Sequence, residues 1–190
     1  QLMAKRIRES ESPLDGVFHA AGALDDRLVK DLTALSFQAV MSGKVAGAWN
    51  LHEATRPDPL RHFVLFSSIS SFMAPPLQGN YAAANACLAT LSTIRKQKGL
   101  PALAVDWGPW SGGGMASRLA EGPKTVMQSR GFQFLPPQLA LDALGSLMQE
   151  ASSRATVMGI DWDRFSRSTR PDEVPALLGD LVDYTPSEDG

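Results

Sequence analysis

The chain has 190 residues, of which 44% are hydrophobic, and its 18 basic and 20 acidic side chains leave a net charge of −2. That is enough apolar material for the core of one ordinary domain. The charge shows no basic block and no interleaving of basic with aromatic residues, which argues against a nucleic-acid or anionic-membrane partner.

In chain order, the first apolar run is Gly16-Val17-Phe18-His19-Ala20, which ends in Ala-Gly and reads as a buried parallel strand. Leu35 to Thr55 places Phe37, Val40, Met41, Val45, Trp49 and Leu51 near helical spacing and stops before Pro57, so one long helix is predicted. His62-Phe63-Val64-Leu65-Phe66 is a second strand, followed by serines. Asn80 to Lys98 is an alanine-rich helix, with basic residues in its last turn and Gly99-Leu100-Pro101 as its stop. Ala102 to Trp107 is a third strand, ended by Gly108-Pro109. Ser111 to Phe134, with three successive glycines and Pro123, differs in kind and reads as a mobile excursion over a site. A helix follows from Pro137 to Ala151, with Leu139, Leu141, Leu144, Leu147 and Met148 as its apolar set. Thr156 to Ile160 is a fourth strand, and beyond Phe165 the composition turns to that of a domain edge and linker.

Strands alternating with helices predict an α/β fold, a Rossmann-like doubly wound parallel sheet. Residues 1–168 would form the domain, with a lid at about 111–134, and residues 169–190 would form its edge and linker. Four strands are only half of a large sheet of this kind. No run approaches a membrane span, and the N-terminus lacks the apolar stretch of a secretory signal. The lone Cys87 cannot form an internal disulfide, so a cytoplasmic location is expected. His19, His52 and His62 lack ligand spacing, and no metal centre is expected.

Ligands of open parallel sheets bind beyond the carboxyl ends of the strands. Ala20-Ala21-Gly22, Ser67-Ser68 and Gly108-Pro109-Trp110 follow three predicted strands and should line one crevice. Tyr81 and Asn85 stand i and i+4 on the alanine-rich helix and share a face. Lys44 lies mid-helix on the preceding crossover. A phenol is a reluctant acid at neutral pH, and a nearby ammonium favours its ionised form. Lys44 would thereby make Tyr81 a better acid, Ser68 would hold a carbonyl oxygen, and Asn85 would order the lysine or a water. Each of these residues alone would be ordinary packing, capping or surface chemistry. It is the combination that points to carbonyl reduction.

At these residues the sequence closely resembles the ketoreductase domain of modular polyketide synthases, a branch of the short-chain dehydrogenase/reductase superfamily. The resemblance runs from about Leu14 to Asp163. It is carried by Gly16-Val17-Phe18-His19-Ala20-Ala21-Gly22, Leu24-Asp25-Asp26, Lys44-Val45-Ala46-Gly47-Ala48-Trp49, Phe63-Val64-Leu65-Phe66-Ser67-Ser68, Gln78-Gly79-Asn80-Tyr81-Ala82-Ala83-Ala84-Asn85 and Trp107-Gly108-Pro109-Trp110. Most superfamily members have lysine four residues after the tyrosine and asparagine on the preceding helix. Here the two are exchanged, as in the polyketide branch.

The resemblance implies a tetrad of Tyr81, Ser68, Lys44 and Asn85, with Tyr81 as general acid. It implies NADPH as cofactor, contacted by Ala20, Ala21, Gly22, Ser67, Gly108, Pro109 and Trp110, and a β-ketoacyl thioester on the phosphopantetheine arm of an acyl carrier protein as substrate. Leu24-Asp25-Asp26 resembles the marker of B-type reductases, which make the D-configured hydroxyl. The A-type marker, a tryptophan eight residues before the tyrosine, is replaced by Met73. Pro76 and Asn80 resemble the subtype that does not act on an epimerised α-carbon, and Met115 begins the implied lid.

One departure is large: the family's glycine-rich turn for the cofactor pyrophosphate does not occur in these residues. Gly112-Gly113-Gly114 follows the third strand and cannot replace it. The chain therefore reads as the C-terminal half of a catalytic domain, whose cofactor-binding half and neighbouring synthase domains would be partners. The alternative reading is a catalytically silent docking domain of a synthase. A serine hydrolase built on Ser68 would need a G-x-S-x-G elbow, which Phe66-Ser67-Ser68-Ile69-Ser70 does not supply.

Overall fold

The first three strands read from the sequence lie in one parallel sheet, joined there by a strand that overlaps only the start of the fourth predicted run. The computed structural model describes residues 6–9, 14–112 and 121–182. Its strands are β1 (Gly16–His19), β2 (His62–Ser68), β3 (Leu103–Trp107), β4 (Phe132–Gln133), β5 (Arg154–Val157) and β6 (Gly159–Ile160). β1, β2, β3 and β5 pair in that order, all parallel, with Val17 opposite Phe63, Ser68 opposite Trp107 and Val105 opposite Ala155. By contact the chain divides into two compact units, Gln1–Trp107 with Ala143–Val157, and Gly108–Asp142 with Met158–Gly190.

The first unit holds the sheet. Val17, Phe63, Leu65 and Ala104 from the strands pack with Ala48, Leu60, Leu88 and Leu91 in one apolar cluster. Burying each large side chain there contributes about 1.5–3 kcal/mol. The predicted long helix is a composite of α1 (Ala34–Met41), a wide π turn (Ser42–Ala46) and α2 (Gly47–Ala54). Thr33 and Ser36 close its start as a reciprocal capping box. A short helix α3 (Ser70–Met73) follows β2, and the alanine-rich helix is α4 (Gly79–Gln97). α4 ends as foreseen: Gly99 takes φ +70°, Gly99 N donates to Lys96 O and Leu100 N to Arg95 O, the two bonds of a Schellman stop.

In the second unit, the described part of the stretch read as a mobile excursion contains a helix, α5 (Glu121–Ser129), and β4, which pairs antiparallel with β6. The expected strand Thr156 to Ile160 is therefore two strands, broken at Met158. Gly159 makes β4 and β6 fit, since a Cβ there would lie 2.9 Å from Gln133 Cβ. Gly131, at φ +88°, has the same role against Asp161 O. The helix α6 (Pro137–Leu147) is shorter than predicted. Its buried positions are Ala140 and Leu144, whereas Leu139 and Leu141 are more than half exposed. At 3.6 residues per turn, 140 and 144 stack while 139 and 141 flank them. α7 (Trp162–Ser168) is capped by Asp161. The expected linker region carries two 3₁₀ turns as far as Leu181, with Leu178 and Val182 buried.

Candidate active site

Ser68 is the last residue of β2, Tyr81 lies in the first turn of α4, Asn85 stands one turn further, and Lys44 is in the middle of the π turn. All four belong to the first unit. Tyr81, Lys44 and Asn85 are buried, and Ser68 is partly exposed. The Lys44 ammonium donates to the carbonyl of Phe66 on β2 at 2.9 Å and lies 5.5 Å from the centroid of the Tyr81 ring, a cation–π distance. Asn85 Nδ2 donates to Tyr81 O at 2.8 Å and to Ser70 Oγ at 3.3 Å. Asn85 Oδ1 is buried and has no hydrogen-bond partner among the described residues, a polar atom suited to a water or ligand. Ser68 Oγ accepts from Ser70 N at 3.2 Å.

Burial holds the Lys44 ammonium down at about 8. Burial also pushes the Tyr81 phenol up, against the opposite pull of the Asn85 and Ser68 side chains, and Asp26 adds to the rise. This reverses the direction read from the sequence, because desolvation outweighs every favourable neighbour of the phenolate. A phenol held protonated is a proton reservoir, and the charge it would develop on giving up its proton forms next to Lys44.

The Leu24-Asp25-Asp26 segment is hydrogen-bonded to the start of the tyrosine helix. Asn80 is fully buried, and its Nδ2 donates to Asp25 O at 2.9 Å and to Ser36 O at 3.3 Å, while its Oδ1 accepts from Tyr81 N at 2.8 Å. Gln78 Nε2 donates to Asp26 at 3.1 Å, Arg27 N donates to Leu77 O, and Arg27 pairs with Asp25. The segment between α3 and α4 makes this docking possible through two left-handed residues, Ala74 and Leu77. Met73 ends α3, Pro76 is exposed in that segment, and Leu24 is also exposed.

Ala20, Ala21 and Gly22 leave β1 exposed and nearly without side chains, which fits the close approach of a ribose or nicotinamide ring. Ser67 faces inward and donates to Asn85 O at 3.2 Å, so its hydroxyl holds the tyrosine helix to β2. Gly108, Pro109 and Trp110 belong to the second unit, where Pro109 O accepts from Leu135 N at 2.7 Å and Trp110 bridges to Leu135. Met115 lies outside the described residues.

Sequence reasoning passed over three residues. Ser70 receives Asn85 and donates its backbone N–H to Ser68, a role signalled only by the serine run after β2. Asp106, fully buried mid-strand in β3, pairs with Arg154 of β5 at 2.6 Å and accepts from Ser71 of α3. His19, set aside as a metal ligand, contacts the Lys44 backbone instead.

A parallel sheet with flanking helices, and a tyrosine, lysine, serine and asparagine gathered beside its strand ends, define a reductase-type Rossmann fold. Residues 1–112 match the model of the KR domain family. The chain is 38% identical over 170 residues to the erythronolide synthase EryA2 of Saccharopolyspora erythraea, covering 90% of this chain and 5% of that protein. It is 40% identical over 149 residues to the phenolphthiocerol synthesis polyketide synthase type I Pks15/1 of Mycobacterium marinum, 78% of this chain and 7% of that one. Among solved structures it is similar to the first ketoreductase of the tylosin polyketide synthase, with TM-score 0.77, 39% identity, 88% of this chain and 36% of the other. An A-type ketoreductase from a modular polyketide synthase gives TM-score 0.84 and 35% identity over 93% of this chain and 37% of its own. The chain belongs to the ketoreductase domains of modular polyketide synthases, within the short-chain dehydrogenase/reductase superfamily. It spans only a small part of those synthases, and about a third of the solved reductases.

Proposed function

We propose that this chain carries the proton-transfer side of a ketoreductase site that reduces a β-ketoacyl thioester, presented by an acyl carrier protein, to the β-hydroxyacyl thioester. The observation that carries the reading is Lys44, buried with its ammonium against the Tyr81 ring, while Asn85 lies one turn beyond the same tyrosine. A buried lysine with no carboxylate partner among the described residues is costly to keep, and a chemical role accounts for it.

Tyr81 donates its phenolic proton to the substrate carbonyl oxygen as negative charge develops there. Ser68 donates a hydrogen bond to the same oxygen and holds it at the tyrosine. Lys44 stabilises the phenolate that remains, and Asn85, through its open Oδ1, orders the water that returns a proton towards the lysine. A nicotinamide cofactor, NADPH by family resemblance, supplies hydride when bound. Ala20, Ala21 and Gly22, exposed where β1 ends, would contact it on the ribose side. The pyrophosphate cradle would come from the remainder of a complete reductase.

The B-type assignment rests on Leu24-Asp25-Asp26 and on Met73 in place of tryptophan. Similarity of fold does not separate the types, since A-type and C2-type reductases are both among the similar structures. A second reading, a silent docking domain, draws on one relative, 35% identical over 182 residues, that is named as inactive. The complete tetrad favours activity.

The test joins this chain to a cofactor-binding half and follows NADPH consumption with a β-ketoacyl thioester. Tyr81→Phe should lower turnover by about 10²–10⁴-fold with the fold retained, as expected for loss of a general acid. Unchanged turnover in that variant overturns the assignment, and no turnover in the unaltered protein favours the silent domain. Chiral analysis of the product should give the D-hydroxyl, and an L-product refutes the B-type assignment.

A further inference from the structure

Lys44 is held from two sides. Its ammonium is tied to β2 through Phe66 O, and its own backbone carbonyl is tied to β1, where His19 Nε2 lies 2.8 Å from Lys44 O. The acceptor is a carbonyl, so His19 Nε2 carries the proton and the ring is fixed in one tautomer. His19 is 5% exposed, which shields this bond from water. The carbonyl it reaches lies in the π turn Ser42–Ala46, where the regular helical pairing is widened and Gly47 N–H bonds both Lys44 O and Ser42 O. Single π turns inside α-helices are unusual and, where they occur, are frequently at functional sites.

Gly47 makes the His19 contact possible. A Cβ at residue 47 would stand 3.2 Å from His19 Cε1 and 3.7 Å from Nε2, and the ring would have to give way. Gly43, in the same turn, has nothing within 4 Å of its Cβ direction, so the close approach is particular to Gly47.

We propose that His19 and Gly47 are positioning residues that set where Lys44 lies against Tyr81, His19 by donating to the Lys44 carbonyl and Gly47 by leaving the space the imidazole occupies. This rests on the reading of Lys44 as part of the reductase site. The bond fixes the height and rotation of the π turn against β1. The lysine side chain leaves that turn into a buried slot bounded by the Phe66 carbonyl and the Tyr81 ring. Without the bond the turn relaxes towards ordinary helix, and the lysine head moves out of the slot towards water.

The test needs no turnover, so its failure is separate from failure of the reductase reading, which the Tyr81→Phe assay decides. The full 190-residue chain is labelled with ¹³C at lysine Cε and titrated by NMR, with the Lys44 resonance assigned by its loss in Lys44→Met. In the unaltered chain Lys44 should titrate at about 8, held down by burial. His19→Met, which keeps bulk and removes the donor, should raise that midpoint by at least one pH unit towards the free-lysine value near ~10.4. Gly47→Ala should shift it in the same direction. His19→Gln, whose amide nitrogen can reach the same carbonyl, should keep it near the original value. A Lys44 midpoint unchanged in His19→Met overturns the proposal. If His19→Met does not fold, Gly47→Ala decides alone, since its steric demand is a few tenths of an ångström, and an unmoved midpoint there overturns it equally.

Discussion

Lys44 joins an ionisable head to a buried position, and the two act on it in opposite senses. Desolvation brings its midpoint down to about 8, so at neutral pH it is still mostly cationic but loses its charge soon above. Two consequences have opposite signs. Under the proposed function, reductase rate should fall as pH rises through about 8, because the charge proposed to stabilise the Tyr81 phenolate disappears. The Lys44 contribution to stability should rise over the same range, because between about 8 and ~10.4 the unfolded chain binds the proton more strongly than the folded one. Rate profiles and denaturation curves, compared with those of Lys44→Met, should show the two trends diverge, and parallel trends would contradict the assignment. Tyr81, Ser68, Asn85 and Lys44 were singled out in the sequence by spacing and family resemblance, and all four fall in the first unit. The direction of the Tyr81 shift was not legible there, because it depends on how much water the fold removes.

Along the composite helix, Ser36, Val40, Lys44, Ala48 and His52 are all buried and fall at strict four-residue intervals. Each such step overshoots a full α-helical turn by about 40°, so over this length the stripe would wind well away from the sheet. The π turn lowers the rotation per residue just where Lys44 sits and recovers part of that drift. The sequence marks a long amphipathic helix over this region but carries no sign of the wide turn, since Ser-Gly-Lys-Val-Ala has no breaker that would force one. Gly43 needs neither an unusual φ nor close contact. Gly43→Ala should therefore stabilise the protein by about 0.5–1 kcal/mol in urea denaturation, and a loss of stability would mean the turn needs a flexible residue there. The α6 helix shows the converse limit. Its helical period was readable, but which stripe turned inward was set by its neighbours, and leucines 139 and 141 stayed outside while Ala140 went in.

For the whole molecule, the parallel sheet followed from apolar runs alternating with helix-length segments. β1 to β3 fell where the sequence placed them, and the fourth run proved to be two strands in two units. Within the first unit, a link no pattern revealed ties the sheet to α3: Asp106 on β3, Arg154 on β5 and Ser71 on α3 share one hydrogen-bonded cluster around a fully buried carboxylate. Arg154→Met should cost about 3 kcal/mol in chemical denaturation, because it strands that carboxylate without its cation. The double variant with Asp106→Leu should recover much of the loss, and a negligible cost in the single variant would show that the pair is no more than a surface contact. What the sequence determined by itself was local or periodic: where strands and helices run, and that a phenol, a hydroxyl, an ammonium and a carboxamide recur at the spacing of a ketoreductase. Only the tertiary structure decided how those groups are solvated and held. Burial, the partner of Lys44 O, and the room beside Gly47 are properties of residues far apart in the chain, and no local pattern encodes the water that folding removes.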